Sequence, residues 1–199
     1  MIAETRALLT RHGQSEWNAL GRWQGQADPP LSDLGRRQAQ EAARSLGAID
    51  GIWASDLRRA AETAVIVGDV LGVGPVVLDA DLRERDAGEW TGLTRAEIER
   101  RYPGFLADGR RPAGWESDEL LLERAQRTLR RIADAAPGGD VLVITHAGVV
   151  FAVERHLGLE TTRLANVEGR WLTLGRNGPN AGDRVLLAEP QDVTVPRQM

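Results

Sequence analysis

Two of the chain's three histidines sit in the same local setting. Arg11-His12-Gly13 follows the apolar run Ala7-Leu8-Leu9-Thr10, and His146-Ala147-Gly148 follows Val141-Leu142-Val143-Ile144-Thr145. Such runs read as buried strands, and open α/β sheets present their chemistry at the carboxyl ends of strands. If the two strands are neighbours in one sheet, the two imidazoles face each other across one pocket. Arg59, in Ser55-Asp56-Leu57-Arg58-Arg59-Ala60, falls in the first turn of an expected helix. An anion there also meets free backbone N–H groups and the positive end of the helix dipole. Glu84, in Leu82-Arg83-Glu84-Arg85-Asp86-Ala87-Gly88, falls just past an expected strand. An imidazole can attack or carry a proton, a guanidinium forks onto phosphate or carboxylate, and a carboxyl group gives and takes a proton. All four stand where a strand ends or a helix begins, so one pocket could collect them.

The elements that must hold these groups alternate along the chain. Ser32 caps an expected helix to about Leu46, with Leu34, Ala39, Ala42, Ala43 and Leu46 on its apolar side. Gly51–Ala54 reads as a short buried strand. Ser55 or Asp56 then caps a helix to about Leu71, with Leu57, Ala60, Ala64, Val67 and Leu71 at helical spacing. Pro75–Leu78 is another expected strand. Thr94 with Glu97 predicts a capping box for a helix to about Arg101, ended by Pro103-Gly104. Ser117 opens a long helix to Ala136, and Pro137-Gly138-Gly139 stops it. The strand Val141–Thr145 precedes a helix from about Val149 to Leu157. Strands near Arg170–Leu174 and Val185–Ala188, separated by a Gly/Asn/Pro loop, predict an edge hairpin. This alternation predicts a three-layer α/β/α fold with a mostly parallel central sheet and helices on both faces.

Composition excludes several chemistries. The 199 residues suit one domain over 1–199, with 191–199 expected to be a flexible tail. No cysteine is present, which removes disulfides, thiolate nucleophiles and Cys-ligated metals. No lysine is present either; all 25 basic side chains are arginine, which removes Schiff-base chemistry and the P-loop lysine. GC-rich codon usage accounts for that bias, so only the positions of the arginines carry information. The net charge of −4 gives no reason to expect a nucleic-acid partner. No apolar run is long enough to span a membrane. Glu4 and Arg6 interrupt the start too early for a signal peptide, and a cytoplasmic protein is expected. Gly72-Val73-Gly74 is a loop, because no helix opens after it.

Taken together, five ordered stretches resemble the histidine phosphatase superfamily, the phosphoglycerate mutase-like family, across nearly the whole chain. They are Arg11-His12-Gly13-Gln14-Ser15-Glu16-Trp17-Asn18; Gly21-Arg22-Trp23-Gln24-Gly25 with Asp28-Pro29-Pro30-Leu31-Ser32 and Gly35; Ser55–Ala64; Leu82-Arg83-Glu84 with Gly88–Leu93; and Thr145-His146-Ala147-Gly148. The resemblance implies that His12 takes the phosphoryl group and that water then hydrolyses the phosphohistidine. It implies that Arg11, Arg59 and His146 hold the phosphoryl oxygens. It further implies that Glu84 protonates the leaving oxygen and later helps to activate water, and that Asn18, Gln24, Gly25 and Ala147 complete the substrate pocket. No metal or other cofactor is expected, because arginines and imidazolium supply the positive charge.

Family spacing favours Arg59 over Arg58, and Glu84 over Asp86 and Glu89. His156 reads as a surface residue. Trp17, Trp23, Trp90 and Trp115 either wall the pocket or pack in a core. Arg110-Arg111 either reads a second anionic group of the substrate or lies in a solvated loop. The compact segment from Leu93 to Ser117 favours a phosphatase over the alternative, a cofactor-dependent phosphoglycerate mutase, which needs a longer insertion. The expected substrate is a small phosphomonoester, a sugar phosphate or a phosphoglycerate-type compound. A protein-phosphohistidine or phosphoserine phosphatase, or a regulatory binding protein, is the reading from a different class; a deep pocket favours a metabolite and a flat surface a protein. A homodimer is left open.

Overall fold

The structure, a computed structural model, describes residues 4–176 and 178–189. Its centre is a six-stranded sheet in the order β3-β2-β4-β1-β5-β6. The strands are β1 (Thr5–Arg11), β2 (Gly51–Ala54), β3 (Val77–Leu78), β4 (Asp140–Thr145), β5 (Glu168–Gly175) and β6 (Gly178–Leu186). Neighbours from β3 to β1 pair in parallel, while β5 runs antiparallel to both β1 and β6. The helices are α1 (Glu16–Ala19), α2 (Asp33–Ser45), α3 (Arg58–Leu71), α4 (Arg95–Arg101), α5 (Asp118–Ala135) and α6 (Ala147–His156).

Strand alternation builds the two faces, because successive side chains point to opposite sides of a sheet. Ala7, Leu9, Val141 and Val143 pack with Leu121, Ala125 and Ile132 of α5 and with α6. Leu8, Ile52, Leu142 and Ile144 pack on the other face with Ala39, Ala42 and Ala43 of α2 and Ala60, Ala64 and Val67 of α3. The fold is therefore the expected α/β/α sandwich with a mostly parallel sheet. A third cluster, Ala87, Trp90, Leu93 and Ile98 with Trp23, Tyr102, Phe105 and Trp115, stands apart from both faces.

Four local expectations change. Helix α3 starts at Arg58 and its cap position, Leu57, makes no side-chain cap bond. Neither Ser55 nor Asp56 caps it, because Ser55 Oγ meets His146 and the Asp56 carboxylate is held by Arg83 at 2.6 and 2.7 Å. Instead Asp28 reaches across 30 residues and accepts from the Arg58 N–H at 2.5 Å. Helix α6 starts at Ala147, not Val149, since His146 itself is the extended N-cap residue. The strand expected over Pro75–Leu78 shortens to Val77–Leu78, and a 3-10 turn at Ala80–Leu82 separates it from Glu84. Gly178-Pro179-Asn180 belongs to β6 rather than to a loop; an edge strand tolerates the proline's missing donor. The expected tail 191–199 lies outside the described residues.

Candidate active site

Register brings the two histidines together. Arg11 at the end of β1 aligns with Thr145 at the end of β4, and the His12 N–H donates to Thr145 O at 2.9 Å. The next residue of each strand is then a histidine. Their ring centroids lie 5.1 Å apart in an edge-on arrangement, and both rings are buried.

The hydrogen bonds around His12 select one tautomer. Arg59 Nε, which can only donate, points at His12 Nε2 at 3.2 Å, so Nε2 carries a lone pair. Nδ1 then carries the proton and donates to Gly13 O at 2.6 Å. Burial, followed by the charges of Arg59 and Arg11, holds His12 well below the ordinary imidazole value of 6.5. A neutral imidazole with its lone pair at the pocket is the form that can attack phosphorus. His146 is likewise held well below 6.5, chiefly by burial and then by Arg59. Ser55 Oγ accepts from the Leu57 N–H at 3.2 Å and has its own proton to give to His146 Nε2, 2.9 Å away. In that arrangement Nδ1 of His146 carries the proton.

Two buried nitrogens, His146 Nδ1 and Asn18 Nδ2, have no hydrogen-bond partner. A buried donor left without a partner is costly, about 1–3 kcal/mol. Arg11 and Arg59 bring positive charge to the site. Burial lowers each to about 10, against the opposing pull of Glu84, so both remain cations at neutral pH. Arg11 is oriented by donating to Leu164 O at 2.7 Å, and Arg59 by Ala27 O at 2.7 Å and Gly25 O at 3.0 Å.

Glu84 sits at the start of α6. Its carboxylate accepts from the Arg85 N–H at 2.7 Å and the Gly148 N–H at 3.3 Å. A Cβ at position 148 would lie 2.2 Å from Glu84 Oε1, so glycine there lets the carboxylate keep this place. A cavity of about 900 Å³ opens over these groups, lined by Arg11, His12, Gln24, Gly25, Glu84 and Ala147 among others. Arg59, His146 and Asn18 are fully buried and are not among its lining residues. Asn18 Oδ1 accepts from Ser15 N at 3.2 Å in the capping box of α1, and Gln24 Oε1 accepts from Ser15 Oγ at 2.7 Å. Trp23 and Trp115 wall the cavity, whereas Trp90 is fully buried in the third cluster. Arg111 lines the cavity with its guanidinium 4.9 Å from the Trp115 ring centre. Arg110 instead pairs with Asp108 at 2.8 Å. His156 is exposed, as expected. Among the described residues, no group of three or more His, Asp or Glu side chains is placed to hold a metal ion.

Several contacts had no local sequence signal. The local pattern at Ser55 predicts a helix cap and not a partner for His146, 91 residues away. Thr63 Oγ1 accepts from the Gly13 N–H at 3.1 Å, and Asn166 Nδ2 donates to His12 O at 3.0 Å. Asn166 precedes Val167, whose φ of 52° is rare for a β-branched residue.

The family description "Histidine phosphatase superfamily (branch 1)" matches residues 7–176. A glucosyl-3-phosphoglycerate phosphatase of Mycolicibacterium vanbaalenii is 40% identical over 162 residues, covering 74% of this chain and 72% of that one. A metal-independent phosphoserine phosphatase of Arabidopsis thaliana is 35% identical over 159 residues, covering 75% and 67%. The chain spans about two thirds to three quarters of the length of the curated relatives it matches first. A solved mycobacterial glucosyl-3-phosphoglycerate phosphatase in complex with VO3 superposes with a TM-score of 0.80 at 31% identity, covering 89% and 96%. The chain belongs to the histidine phosphatase superfamily.

Proposed function

We propose that this protein hydrolyses small phosphomonoesters through a phosphohistidine at His12. The observation that carries the reading is the neutral His12 Nε2 lone pair, held at the pocket by Arg59, with the His146 ring 5.1 Å away. The phosphoryl oxygens take over the hydrogen bond that Arg59 Nε now makes to His12. Arg11, Arg59 and His146 then stabilise the charge spread over those oxygens. As the N–P bond forms, the ester P–O bond breaks and Glu84 in its acid form gives its proton to the leaving oxygen. Water next attacks the phosphohistidine, returns a proton to Glu84 and releases phosphate.

The pocket favours a metabolite over a protein surface, since His12 is only 2% exposed beneath a cavity of about 900 Å³. That volume exceeds what one phosphate needs, which supports a substrate with a sizeable alcohol portion, as in the relatives named for glucosyl-3-phosphoglycerate and phosphoserine. The reading requires no metal, and one domain acting in the cytoplasm suffices for it.

A panel of phosphomonoesters tests the proposal by phosphate release, with and without EDTA. Turnover insensitive to chelation is expected, with a loss of at least ~10³-fold in His12→Ala. Rapid quenching should trap a phosphoryl group on nitrogen in the wild type. Efficient interconversion of 2- and 3-phosphoglycerate without net phosphate release would replace hydrolase by mutase.

A further inference from the structure

Glu84 stands in a segment with no regular structure to hold it. Residues 83–86 follow a 3-10 turn and belong to no helix, strand or bridge, and Ala87 after them pairs with Trp115 in an isolated bridge. A proton donor misplaced by 1 Å loses much of its effect, so something else must fix this backbone. The fixing group comes from α5. Arg124 is 8% exposed and is not among the residues that line the cavity. Its five N–H donors all have acceptors. Nη1 donates to Asp81 O at 2.8 Å and to Arg83 O, and Nη2 donates to Glu84 O at 2.9 Å. Nε and Nη2 fork onto the Glu116 carboxylate at 2.7 and 2.8 Å. Glu116 Oε2 in turn accepts from the Asp86 N–H at 3.1 Å. Carbonyls before Glu84, the carbonyl of Glu84 itself and an N–H after it are thus tied to one buried ion pair.

We propose that the Arg124–Glu116 pair is a positioning device for the proton donor: it fixes the Glu84 backbone so that the carboxylate stays at the start of α6. Arg124 neither lines the cavity nor bonds to His12; its hydrogen bonds reach the site through the Glu84 segment, and its charge adds only a lesser push on His146 behind burial, Arg59 and His12. A lysine has three donors on one nitrogen and cannot hold three carbonyls and a forked carboxylate together. Burial pushes Glu116 upward, yet its bonds with Arg124 outweigh this and hold it below the usual glutamate value, so the pair stays charged near neutral pH. The inference rests on Glu84 being the acid of the proposed reaction.

The test uses aryl phosphates whose leaving groups range from p-nitrophenol to phenol, with kcat/KM measured for wild type, Glu84→Gln, Arg124→Met and Glu116→Gln. A good leaving group departs without a proton and a poor one needs it. Arg124→Met and Glu116→Gln should both lose at least about 10-fold more activity on phenyl phosphate than on p-nitrophenyl phosphate, copying the pattern of Glu84→Gln. Glu116→Gln keeps the guanidinium and the packing, so it carries the test if Arg124→Met is recovered unfolded. Equal losses on all esters in the pair's variants, with Glu84→Gln still discriminating, overturn the positioning role; so does failure of both variants to fold, which would assign the pair to folding. Equal losses in Glu84→Gln itself overturn the acid assignment instead.

Discussion

At the scale of single residues, the site depends on where protons sit and on how closely a carboxylate may approach a backbone. His12 is neutral with its lone pair on Nε2, because Arg59 Nε can only donate and Gly13 O can only accept. The nucleophile is therefore ready well below the pH at which an exposed imidazole would protonate, and the acid limb of kcat/KM should lie below about 6.5. Gly148 offers a sharper test. A Cβ at that position would clash with the flexible end of Glu84, at 2.2 Å from Oε1, and make ordinary contact with Arg85 Cβ at 3.6 Å. Gly148→Ala should melt within a few degrees of wild type, yet lose about 10- to 100-fold in kcat/KM on phenyl phosphate and far less on p-nitrophenyl phosphate. A variant equally active on both esters would mean that the carboxylate has no fixed place in the reaction.

Among the elements, the pairing of β1 with β4 decides the most. A slip of β1 by one residue against β4 would turn Ala7 and Leu9 to the α2–α3 face in place of Leu8, while Leu142 and Ile144 of β4 stayed there, so burial of both faces fixes the register. That register also fixes the two imidazoles. The loop after β1 is then pressed against α2, where Gly35 approaches the backbone of Gln14. A Cβ at Gly35 would lie 2.0 Å from Gln14 O and 2.9 Å from Gln14 N, both backbone atoms that a rotamer change cannot move. Gly35→Ala should lose about 1–3 kcal/mol in urea unfolding, the scale of overpacking, together with activity on every ester, since the loop carries His12. Retention of wild-type stability would mean that the loop and helix separate at little cost. On the far side of the sheet, buried Glu154 of α6 accepts from Arg170 of β5 and Arg184 of β6, each at 2.6 Å, and ties the hairpin to the helix.

For the whole molecule, two neutral buried histidines couple folding to pH. The unfolded chain binds protons at these positions below about 6.5, while the folded protein does not. The proton count is then larger in the unfolded state, so stability is fullest above that pH and falls as the solution is acidified. Each histidine contributes up to about 1.4 kcal/mol per pH unit over this interval. The ion-paired carboxylates of Asp81, Glu116 and Glu154 are held low and act in a more acidic window, through and below about pH 4. Urea unfolding between about pH 7 and pH 5 should show the loss, and a His12→Asn, His146→Asn double variant should flatten it. A flat wild-type curve would mean that the folded rings take up protons.

Local pattern determined a great deal. Each apolar run and capping residue depends on neighbours within a few positions, so β1, β2, β4, α2, α4 and α5 were legible to within a residue or two. The resemblance of the five motifs to the histidine phosphatase superfamily likewise implied phosphoryl chemistry. What local pattern could not carry was any partnership across distance. Asp28 capping α3, Ser55 turning to His146, Asn166 holding the His12 carbonyl and Arg124 gripping the Glu84 segment join residues 30 or more positions apart. No periodicity encodes such pairs; only the packed chain brings the donors and acceptors within 3 Å or so of each other and then, because they are buried, makes leaving them unpaired expensive.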